Sequence, residues 1–485
     1  MFYKNRVFLF VILLSLFAAC WLIACSDGDD DDDDNDDDDD DNNDDDNNDD
    51  NDTGDDDTCP DADGDGYTDE ECGGEDCDDS NGSIHPGAND ICGDFIDQDC
   101  DGVADDGCTF WVSETVLEGY VNNENKRYYS LAFLSDGTPI VAYYEATGMN
   151  LVVAEYTAGG WVHTNIDTDG DVGMYAFIDV DSTDRIGIAY YYADEKDLRV
   201  AFREEGRGWS IEIVDTQYEI GHQSKIRFNN QDEAQVFACT KNAWALNHYW
   251  KQLGEWQMEK RFGNTSSDFN ECYAIDMDSI GYPGFAWTDW EDYEPYEKDD
   301  GYDKMLAGRW HPLYGWEYEL IWMGQSIDRD FCAFTWAEND QPTAFFITDD
   351  VPIIQFAVPV LGIWNIYQLN DETIGPNGPL SAGHDSDGNI YLGYTDALGG
   401  RPRMATRIGP AWYYEHPLDD TQYGSHLYVR VAPDDQPAFI FTDVTTSRLM
   451  YAKRFEIPDA EDVDDDDTGD DDTADDDTGD DDTDQ

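Results

Sequence analysis

The sequence predicts an all-β protein built around a seven-bladed β-propeller, and three observations lead to this prediction. A tryptophan recurs every 47 to 60 residues between positions 111 and 412. Each interval holds short Tyr-, Phe- and Val-rich runs separated by Gly, Asp and Asn turns, a pattern typical of about four strands. Nowhere does 109–456 show the apolar period of an amphipathic helix. Repeated four-stranded units of this length predict the blades of a propeller.

The repeated tryptophans also predict how the ring closes. The last unit, 423–455, supplies three strands without a Trp strand after them, whereas the run Phe110–Leu117 stands alone before the first unit. Pairing these N- and C-terminal strands in one blade removes an exposed sheet edge. We therefore expect seven blades, with the Trp side chains packed between them. The tryptophans are Trp111, Trp161, Trp209, Trp256, Trp316, Trp364 and Trp412.

Charge separates the propeller from the rest of the chain. The 485 residues include 112 Asp and Glu against 26 Lys and Arg, giving a net charge of −86. Such a chain lacks the basic surface that phosphate binding needs, which excludes nucleic acid as a partner. The nearly pure Asp runs in 25–58 and 457–485 offer almost no apolar side chains for a core. We expect a disordered acidic stalk and a disordered acidic tail there.

The N-terminus predicts export. Residues 1–24 form a signal peptide in which a short basic segment precedes the apolar run Val7–Ala19. The residues Leu22-Ile23-Ala24-Cys25 resemble the lipobox of bacterial lipoproteins. That resemblance implies that Cys25 is acylated and anchors the chain to the lipid bilayer, and that Ser26 favours the outer membrane and the cell surface. An ordinary cleaved signal with an incidental cysteine is the alternative.

Residues 59–108 form a cysteine-rich acidic module. Six of the 11 cysteines lie there, which implies up to three disulfides whose pairing the sequence leaves open. The pattern D-x-D-x-D-G-x-x-D-x-x-C occurs twice, at 61–72 and 97–108. Carboxylates at positions 1, 3 and 5 converge because Gly at position 6 permits a tight turn, and the carbonyl at 7 and the Asp at 9 add oxygen ligands.

These loops predict Ca²⁺ as the cofactor, because it prefers hard oxygen donors. Cysteine replaces the bidentate Glu of an EF-hand at position 12 and no flanking helices are indicated, so we expect disulfide-pinned calcium loops instead. The expected ligands are Asp61, Asp63, Asp65, Tyr67 and Asp69 in the first loop, and Asp97, Asp99, Asp101, Val103 and Asp105 in the second.

The same module resembles a known repeat. The runs Asp76–Asn81, Ile84–Ala88, Ile91–Asp94 and Asp97–Gly102 are similar to the MopE-type metal-binding repeat of bacterial surface proteins. The resemblance implies extracellular metal binding, with Ca²⁺ the favoured ion and copper the ion of the namesake. Copper is disfavoured here because the module offers His85 alone beside cysteines expected to be oxidised. We expect Ca²⁺ to hold a module without a core rigid.

The propeller carries no recognisable catalytic motif. H-E-x-x-H, G-x-S-x-G and P-loop patterns are missing from the sequence, and its eight His are widely separated. Ser135–Thr138 and Ser386–Gly388 are fragments of a sialidase Asp-box that fail its spacing, so the resemblance to sialidase-like propellers is one of architecture only. We therefore expect a binding module and no enzyme.

The fourth repeat unit carries an acidic, aromatic insertion that we interpret as a ligand loop. A solvated loop without a ligand is the alternative, and deleting residues 289–302 should abolish binding if the interpretation holds. The aromatic residues of this possible ligand loop are Trp287, Trp290, Tyr293, Tyr296 and Tyr302.

Together these features predict a monomeric, lipid-anchored protein of the outer membrane or cell surface. Its calcium-binding module displays a propeller that binds an extracellular glycan or protein ligand in adhesion or recognition. The alternative is a propeller hydrolase or lyase acting on an extracellular glycan. Carboxylates or Arg side chains clustered in the central channel would favour the enzyme, and a flat aromatic face would favour binding.

Overall fold

The computed structural model describes residues 61–457 apart from 71–72, 93–94, 106, 121–127, 205, 241–244, 263–272, 290–302, 312–314, 325–326, 349–352, 370–378, 397–399 and 419–423. The predicted signal peptide, the lipidated Cys25, the acidic stalk and the acidic tail from residue 458 lie outside the described residues. In the part of the chain that is described, no helix combines the length and hydropathy needed to span a membrane.

The described residues form seven antiparallel four-stranded sheets, each a blade of a propeller. Blade 1 holds β2 (Tyr129–Phe133), β3 (Pro139–Glu145), β4 (Asn150–Thr157) and β5 (Gly160–Asp167). Blade 2 holds β6 (Val172–Val180), β7 (Ile186–Tyr192), β8 (Asp197–Arg203) and β9 (Trp209–Asp215). Blade 3 holds β10 (Ile220–Phe228), β11 (Ala234–Thr240), β12 (Ala245–Gln252) and β13 (Glu255–Phe262).

The remaining blades follow the same order along the chain. Blade 4 holds β14 (Tyr273–Met277), β15 (Pro283–Asp289), β16 (Asp303–His311) and β17 (Gly315–Gly324). Blade 5 holds β18 (Ile327–Ala337), a 3₁₀ turn (Glu338–Asp340), β19 (Gln341–Thr348), β20 (Ile353–Val360) and β21 (Ile363–Gln368). Blade 6 holds β22 (Ser381–His384), β23 (Ile390–Thr395), β24 (Pro402–Ile408) and β25 (Ala411–Glu415). Blade 7 holds β26 (Gly424–Val431), β27 (Pro437–Asp443), β28 (Arg448–Glu456) and β1 (Thr109–Glu118).

Blade 7 closes the ring as the sequence predicts. Strand β1 pairs antiparallel with β28, from Thr109 opposite Glu456 to Glu118 opposite Arg448. Ile457 extends this contact into the module, because its carbonyl accepts the Gly107 N–H and its N–H donates to the Cys108 carbonyl, both at 2.9 Å. The predicted seven blades, and their closure by the two terminal strands, are confirmed.

Each of the seven repeated tryptophans lies in the fourth strand of a blade, where its ring meets the neighbouring blade. Trp161 of β5 lies 5.6 Å from the Tyr451 ring of β28, and Trp412 of β25 lies 5.3 Å from the Phe356 ring of β20. The middle strands are buried on both faces and read as continuous apolar runs, of which Ile186–Tyr192 is fully buried. Hydrophobic burial between blades is therefore what fixes the ring.

A second contact between blades recurs in the turn after the first strand of each blade. At four junctions the N–H and Oγ of a serine donate to the two carboxylate oxygens of an aspartate in the next turn, at 2.7–3.0 Å. These turn pairs are Ser135–Asp184, Ser182–Asp232, Ser279–Asp340 and Ser386–Asp435.

At the other three junctions a glycine replaces the aspartate of the turn pair: Gly137, Gly281 and Gly388. All seven positions have left-handed φ angles, between 53° and 81°, which Asp and Gly tolerate best. A Cβ on Gly281 would lie 2.5 Å from the backbone nitrogen of Asn230. At Gly281 and Gly388, close backbone approach thus takes the place of the hydrogen bonds, whereas a Cβ on Gly137 would meet no atom within 4 Å.

Cysteine pairing in the module is consistent with the disulfide prediction. Cys77 is bonded to Cys100 and Cys92 to Cys108, while Cys59 and Cys72 lie outside the described residues. In the propeller, Cys239 and Cys332 are buried in β11 and β18, and Cys272 lies outside the described residues.

Candidate functional site

The first acidic loop of the module brings three of its predicted ligands together. Oxygen atoms of Asp61, Asp63 and Asp65 all lie within 4.8 Å of one another. The Gly64 and Gly66 N–H groups donate to the two Asp61 oxygens, at 2.6 and 3.0 Å. Both glycines have positive φ angles, 88° and 108°, so the tight turn that gathers the carboxylates depends on them. Asp69 is not part of this cluster, and the roles of Asp69 and of the Tyr67 carbonyl as ligands stay predictions.

The second loop forms a similar cluster with a different third member. Oxygens of Asp97 and Asp99 lie within 4.8 Å of each other and of Asp90, which precedes the loop. The Gly102 N–H donates to Asp97 at 2.9 Å, and the Gln98 N–H donates to Asp90 at 2.8 Å. Sequence spacing missed Asp90, because the chain folds back through seven residues to place it there.

The other expected ligands of the second loop have different surroundings. Asp101 accepts the Val103 N–H at 2.8 Å and lies outside the cluster. Asp105 is buried and accepts the Phe95 N–H at 3.3 Å. Their role as ligands, like that of the Val103 carbonyl, stays a prediction.

In both clusters, desolvation and repulsion between carboxylates raise the pKa of one aspartate. Desolvation raises the pKa of Asp63 above its usual value, and the charges of Asp65, Asp76 and Asp61 raise it further. Desolvation likewise raises the pKa of Asp99, with the charges of Asp101, Asp90 and Asp97 adding to it. A bound cation would remove this repulsion.

The donor set fits a hard cation. Asp63 Oδ2, Asp65 Oδ2 and Asp97 Oδ1 are buried without a hydrogen-bond partner among the described residues. Soft donors are lacking in the described part of the module, since Cys77, Cys92, Cys100 and Cys108 are in disulfides. His85 stacks on Tyr67 with ring centroids 5.1 Å apart. Oxygen ligands and orphaned carboxylates suit Ca²⁺ far better than copper.

The propeller presents two further places where polar side chains converge, and the first is the central channel. One residue from each of six innermost strands contributes to a charged cluster: Asp179 (β6), Arg227 (β10), Asp276 (β14), Thr335 (β18), His384 (β22) and Arg430 (β26). Sequence spacing could not reveal this cluster, because its members are separated by whole blades.

The charges of the channel cluster are paired with one another. Arg227 lies 3.8 Å from both Asp179 and Asp276, and Arg430 contacts Asp179. His384 Nδ1 lies 3.2 Å from Asp276 Oδ2. Burial opposes ionisation of Asp276, yet the hydrogen bond from His384 and the nearby guanidinium groups outweigh it and lower the Asp276 pKa to about 2. The geometry is that of a neutralised network that ties the blades together.

The second place is a groove of about 300 Å³ on the outer part of the ring, between blades 4 and 5. Its walls combine two aromatic rings, two carboxylates, a guanidinium and further apolar surface. Arg309 and Glu317 face each other at 3.5 Å, with 55% and 41% of their side chains exposed. The Trp364 indole N–H donates to Glu319. We call this the 4/5 groove; its principal lining residues are Arg309, Glu317, Glu319, Phe334, Pro359 and Trp364.

Comparison with two other junctions explains why the 4/5 groove is open. Glu212 and Glu415 each accept a tryptophan N–H from the next blade, as Glu319 does, at 3.0 and 2.7 Å. There, a cation from the third strand of that next blade also binds the glutamate: Lys251 contacts Glu212 at 2.6 Å, and Arg454 contacts Glu415 at 2.9 Å.

Strand register identifies the residue that replaces this cation. Lys251 and Arg454 are the residues opposite the tryptophans of their blades, Trp256 and Trp111. The residue opposite Trp364 is Pro359, which has no charge and a short side chain. Glu319 therefore keeps the tryptophan contact and lacks a cation from strand β20, which leaves space between the blades.

The predicted ligand loop is only partly described. The insertion falls between β15 and β16, as expected, but Trp290, Tyr293, Tyr296 and Tyr302 lie outside the described residues. Trp287 belongs to β15 and is 2% exposed, with its ring 5.1 Å from Phe285. Trp287 is thus a core residue of β15, and the sequence prediction was wrong to place it in the loop that follows this strand.

Residues 76–106 match a protein family, Cu-binding MopE, described as a "Putative metal-binding motif". This match confirms the resemblance inferred from the sequence. It includes Asp76, Asp90 and the expected ligands of the second acidic loop, whereas Asp61, Asp63 and Asp65 precede it. No curated protein matches the chain.

Solved propeller structures share little sequence with this chain. AofleA from Arthrobotrys oligospora is 12% identical over 68% of this chain and 94% of its own, with a TM-score of 0.39. A fungal lectin from Aleuria aurantia with a six-bladed β-propeller fold is 10% identical over 60% of this chain and 96% of its own, TM-score 0.39. The NanB sialidase from Streptococcus pneumoniae is 10% identical over 71% of this chain and 70% of its own, TM-score 0.39. Likeness at this level says nothing about function.

Proposed function

We propose that this chain is a monomeric lipoprotein of the outer membrane, displayed at the cell surface, whose propeller binds an extracellular glycan. The lipobox-like residues before Cys25 supply the anchor. Two disulfides in the module support an oxidising, extracytoplasmic location.

Calcium is the ion that we propose for the module. Its acidic clusters offer oxygen donors only, and at Asp63, Asp65 and Asp97 buried carboxylate oxygens lack a hydrogen bond among the described residues. The module has little apolar surface to bury, so cations and disulfides supply the constraints that a core would otherwise provide. Ca²⁺ therefore acts here as a structural ion.

The proposal of glycan binding rests on the 4/5 groove. A sugar ring has apolar C–H faces and polar hydroxyl edges, so it needs an aromatic face beside hydrogen-bonding groups. Trp364 supplies the aromatic face, Glu317 and Glu319 supply acceptors, and half-exposed Arg309 supplies donors. The single observation that favours this groove is Pro359, which stands where Lys251 and Arg454 occupy the corresponding space at other junctions.

A glycan array probed with the full chain and with Pro359→Lys tests the proposal. The new lysine should reach Glu319, as Lys251 reaches Glu212, and fill the groove while leaving the fold intact. We expect at least tenfold weaker binding of any glycan that the wild type retains. Val360→Lys is the matched control, because it adds the same charge at the neighbouring exposed position of β20.

Two results would contradict glycan binding in the 4/5 groove. One is an array on which the wild type retains no glycan. The other is a glycan that the Pro359→Lys and Val360→Lys proteins bind equally well. In the second case, deletion of residues 289–302 shows whether the acidic insertion of blade 4 holds the ligand instead.

A glycan hydrolase or lyase is the second candidate, favoured by the charged cluster in the channel. Asp276 and His384 could exchange a proton if a substrate reached them, since they lie 3.2 Å apart. Product analysis of any bound glycan after long incubation tests this alternative. Cleavage by the wild type that Asp276→Asn abolishes would establish it.

A further inference from the structure

Asp76 is a buried carboxylate whose charge the described protein groups do not compensate. The residue has no exposed surface, and its Oδ1 accepts the N–H of Asp78 at 2.9 Å. Its Oδ2 is buried and lacks a hydrogen-bond partner among the described residues. Ionisation of a carboxylate in this state is strongly unfavourable unless a positive charge lies nearby. Residues 59–108 contain no lysine or arginine.

Backbone hydrogen bonds fix Asp76 beside the end of the first acidic loop. Its N–H donates to the Thr68 carbonyl at 3.1 Å, and its own carbonyl accepts the Glu70 N–H at 2.8 Å. These bonds form an isolated parallel bridge between Asp69 and Asp76. The position of Asp76 therefore depends on the main chain and not on a flexible side chain.

The residues that follow Asp76 also pack on the first loop. Asp79 accepts the Ala62 N–H at 3.0 Å. A Cβ added to Gly82 would lie 3.5 Å from both Asp63 Oδ1 and Asp65 Cβ. Segment 76–82 thus lies against the loop that gathers Asp61, Asp63 and Asp65.

Asp76 is not one of the three residues whose oxygens all lie within 4.8 Å of one another, but its unsatisfied oxygen belongs to the same region of the module. Asp63 Oδ2 and Asp65 Oδ2 are buried without partners, as Asp76 Oδ2 is, and the charge of Asp76 acts directly on Asp63. Asp61 is oriented by the Gly64 and Gly66 N–H groups. Four carboxylates with three unsatisfied oxygens form an environment that a divalent cation with oxygen ligands would complete.

We propose that Asp76 is the fourth carboxylate ligand of a Ca²⁺ ion held by Asp61, Asp63 and Asp65. The inference rests on the calcium binding proposed above and extends it to a site that spans two segments. Three ligands precede the matched metal-binding motif, and Asp76 is its first residue. The ion joins the first loop to that motif, next to the disulfide of Cys77 and Cys100.

Terbium binding to the full chain tests the role of Asp76. Tb³⁺ replaces Ca²⁺ at oxygen sites and emits when a nearby tyrosine is excited, here Tyr67, whose N–H donates to Asp65. Every protein carries Asp97→Asn to silence the second cluster, and high ionic strength suppresses loose binding to the Asp runs. Competition with Ca²⁺ then gives the affinity of the first site. Asp76→Asn is compared with Asp78→Asn, an exposed control two residues away.

We expect Asp76→Asn to weaken Ca²⁺ binding at least tenfold and Asp78→Asn to change it less than twofold. Without metal, Asp76→Asn should melt at the same temperature as its parent or higher, because the amide keeps the bond to Asp78 and removes a buried charge. A purely structural aspartate would instead destabilise the metal-free protein when replaced.

The results of these measurements distinguish the ligand role of Asp76 from calcium binding by the module as a whole. Equal affinities of the Asp76→Asn and Asp78→Asn proteins overturn the role of Asp76 and leave calcium binding intact. A parent protein that gives no sensitised emission in the presence of Tb³⁺ overturns both. Weaker binding accompanied by a lower melting temperature without metal overturns the role of Asp76 as a ligand.

Discussion

Asp276 and His384 illustrate at the residue scale how the channel accommodates buried charge. Burial alone would lower the pKa of His384, but the hydrogen bond and charge of Asp276 outweigh it and raise that pKa above 6.5. Thr335 lies 2.9 Å from both groups, and Arg430 and Asp385 also act on the imidazole. The stability that this ion pair contributes to the fold therefore depends on pH.

The sign of that dependence follows from the two shifts. A histidine with a raised pKa in the folded state contributes stability that is complete below pH 6.5 and is lost as pH rises through the raised value. Asp276, lowered to about 2, contributes above its usual 3.8 and loses that contribution as pH falls toward 2. The pair therefore stabilises the fold most between these two limits.

We predict that the free energy of unfolding of the wild type falls more between about pH 6 and about pH 9 than that of His384→Asn. The substitution removes the titrating group and leaves the rest of the channel cluster in place. Urea denaturation of both proteins at several pH values measures the difference. Parallel profiles for the two proteins would show that His384 does not carry this dependence.

The acidic side chains of the module show what residue spacing can and cannot predict. Asp61, Asp63 and Asp65 converge as predicted, because their alternation and Gly66 define one local turn. Asp76 and Asp90 could not be assigned this way. Each reaches its loop through folding of a separate segment, which the sequence pattern alone does not encode.

At the scale of strands, residues of the third and fourth strands determine whether the space between two neighbouring blades is filled or open. The tryptophan spacing predicted the fourth strands correctly, because the same interblade packing recurs in every unit. The 4/5 groove was not predicted. It depends on Pro359 being opposite Trp364, and that register becomes visible only once the strands are paired. The available signal was a glutamate three residues after five of the tryptophans, and this pattern alone does not single out the 4/5 junction.

Strand β1 offers a test of the closure of the ring. Trp111 packs on Phe439 at 5.2 Å and its indole N–H donates to Glu415 of blade 6. We predict that Trp111→Ala lowers the free energy of unfolding by about 2–4 kcal/mol, because it removes apolar contacts in two blades and leaves Glu415 without the indole donor. Equilibrium denaturation measures this cost.

Phe110→Ala is the matched control in the same strand. Phe110 is 37% exposed and stacks only on Phe455 among the ring contacts described, so we expect a loss below about 1 kcal/mol. Equal losses for the two variants would contradict the view that the tryptophan side of β1 closes the ring.

For the whole molecule, the module and the propeller derive their stability from different sources. The propeller buries continuous apolar strands between blades, whereas the module relies on disulfides and on the proposed ions. Removal of calcium with EDTA should therefore lower the melting temperature of the module and leave the propeller transition unchanged. Scanning calorimetry with and without Ca²⁺ resolves the two transitions. An unchanged thermogram would argue against a structural ion.

The architecture as a whole was predictable, but the sites formed by residues from several blades were not. Seven repeated units and unpaired terminal strands sufficed to predict the blade number and the pairing of β1 with β28. The channel cluster combines Asp179, Arg227, Asp276, Thr335, His384 and Arg430 from six strands. Contacts separated by 48 to 251 residues leave no local pattern, so only the closed ring reveals them.

The turn pairs make some blades specific for the neighbour that follows them in the sequence. Ser182 meets Asp232, whereas Asn230 meets Gly281, so each repeat is matched to the one that follows it. Losing blade 3 by recombination would set Ser182 against Gly281, which has no carboxylate to receive its two donors. The repeats are therefore not all interchangeable, because any loss or duplication that sets a serine turn against a glycine turn removes two hydrogen bonds between neighbouring blades.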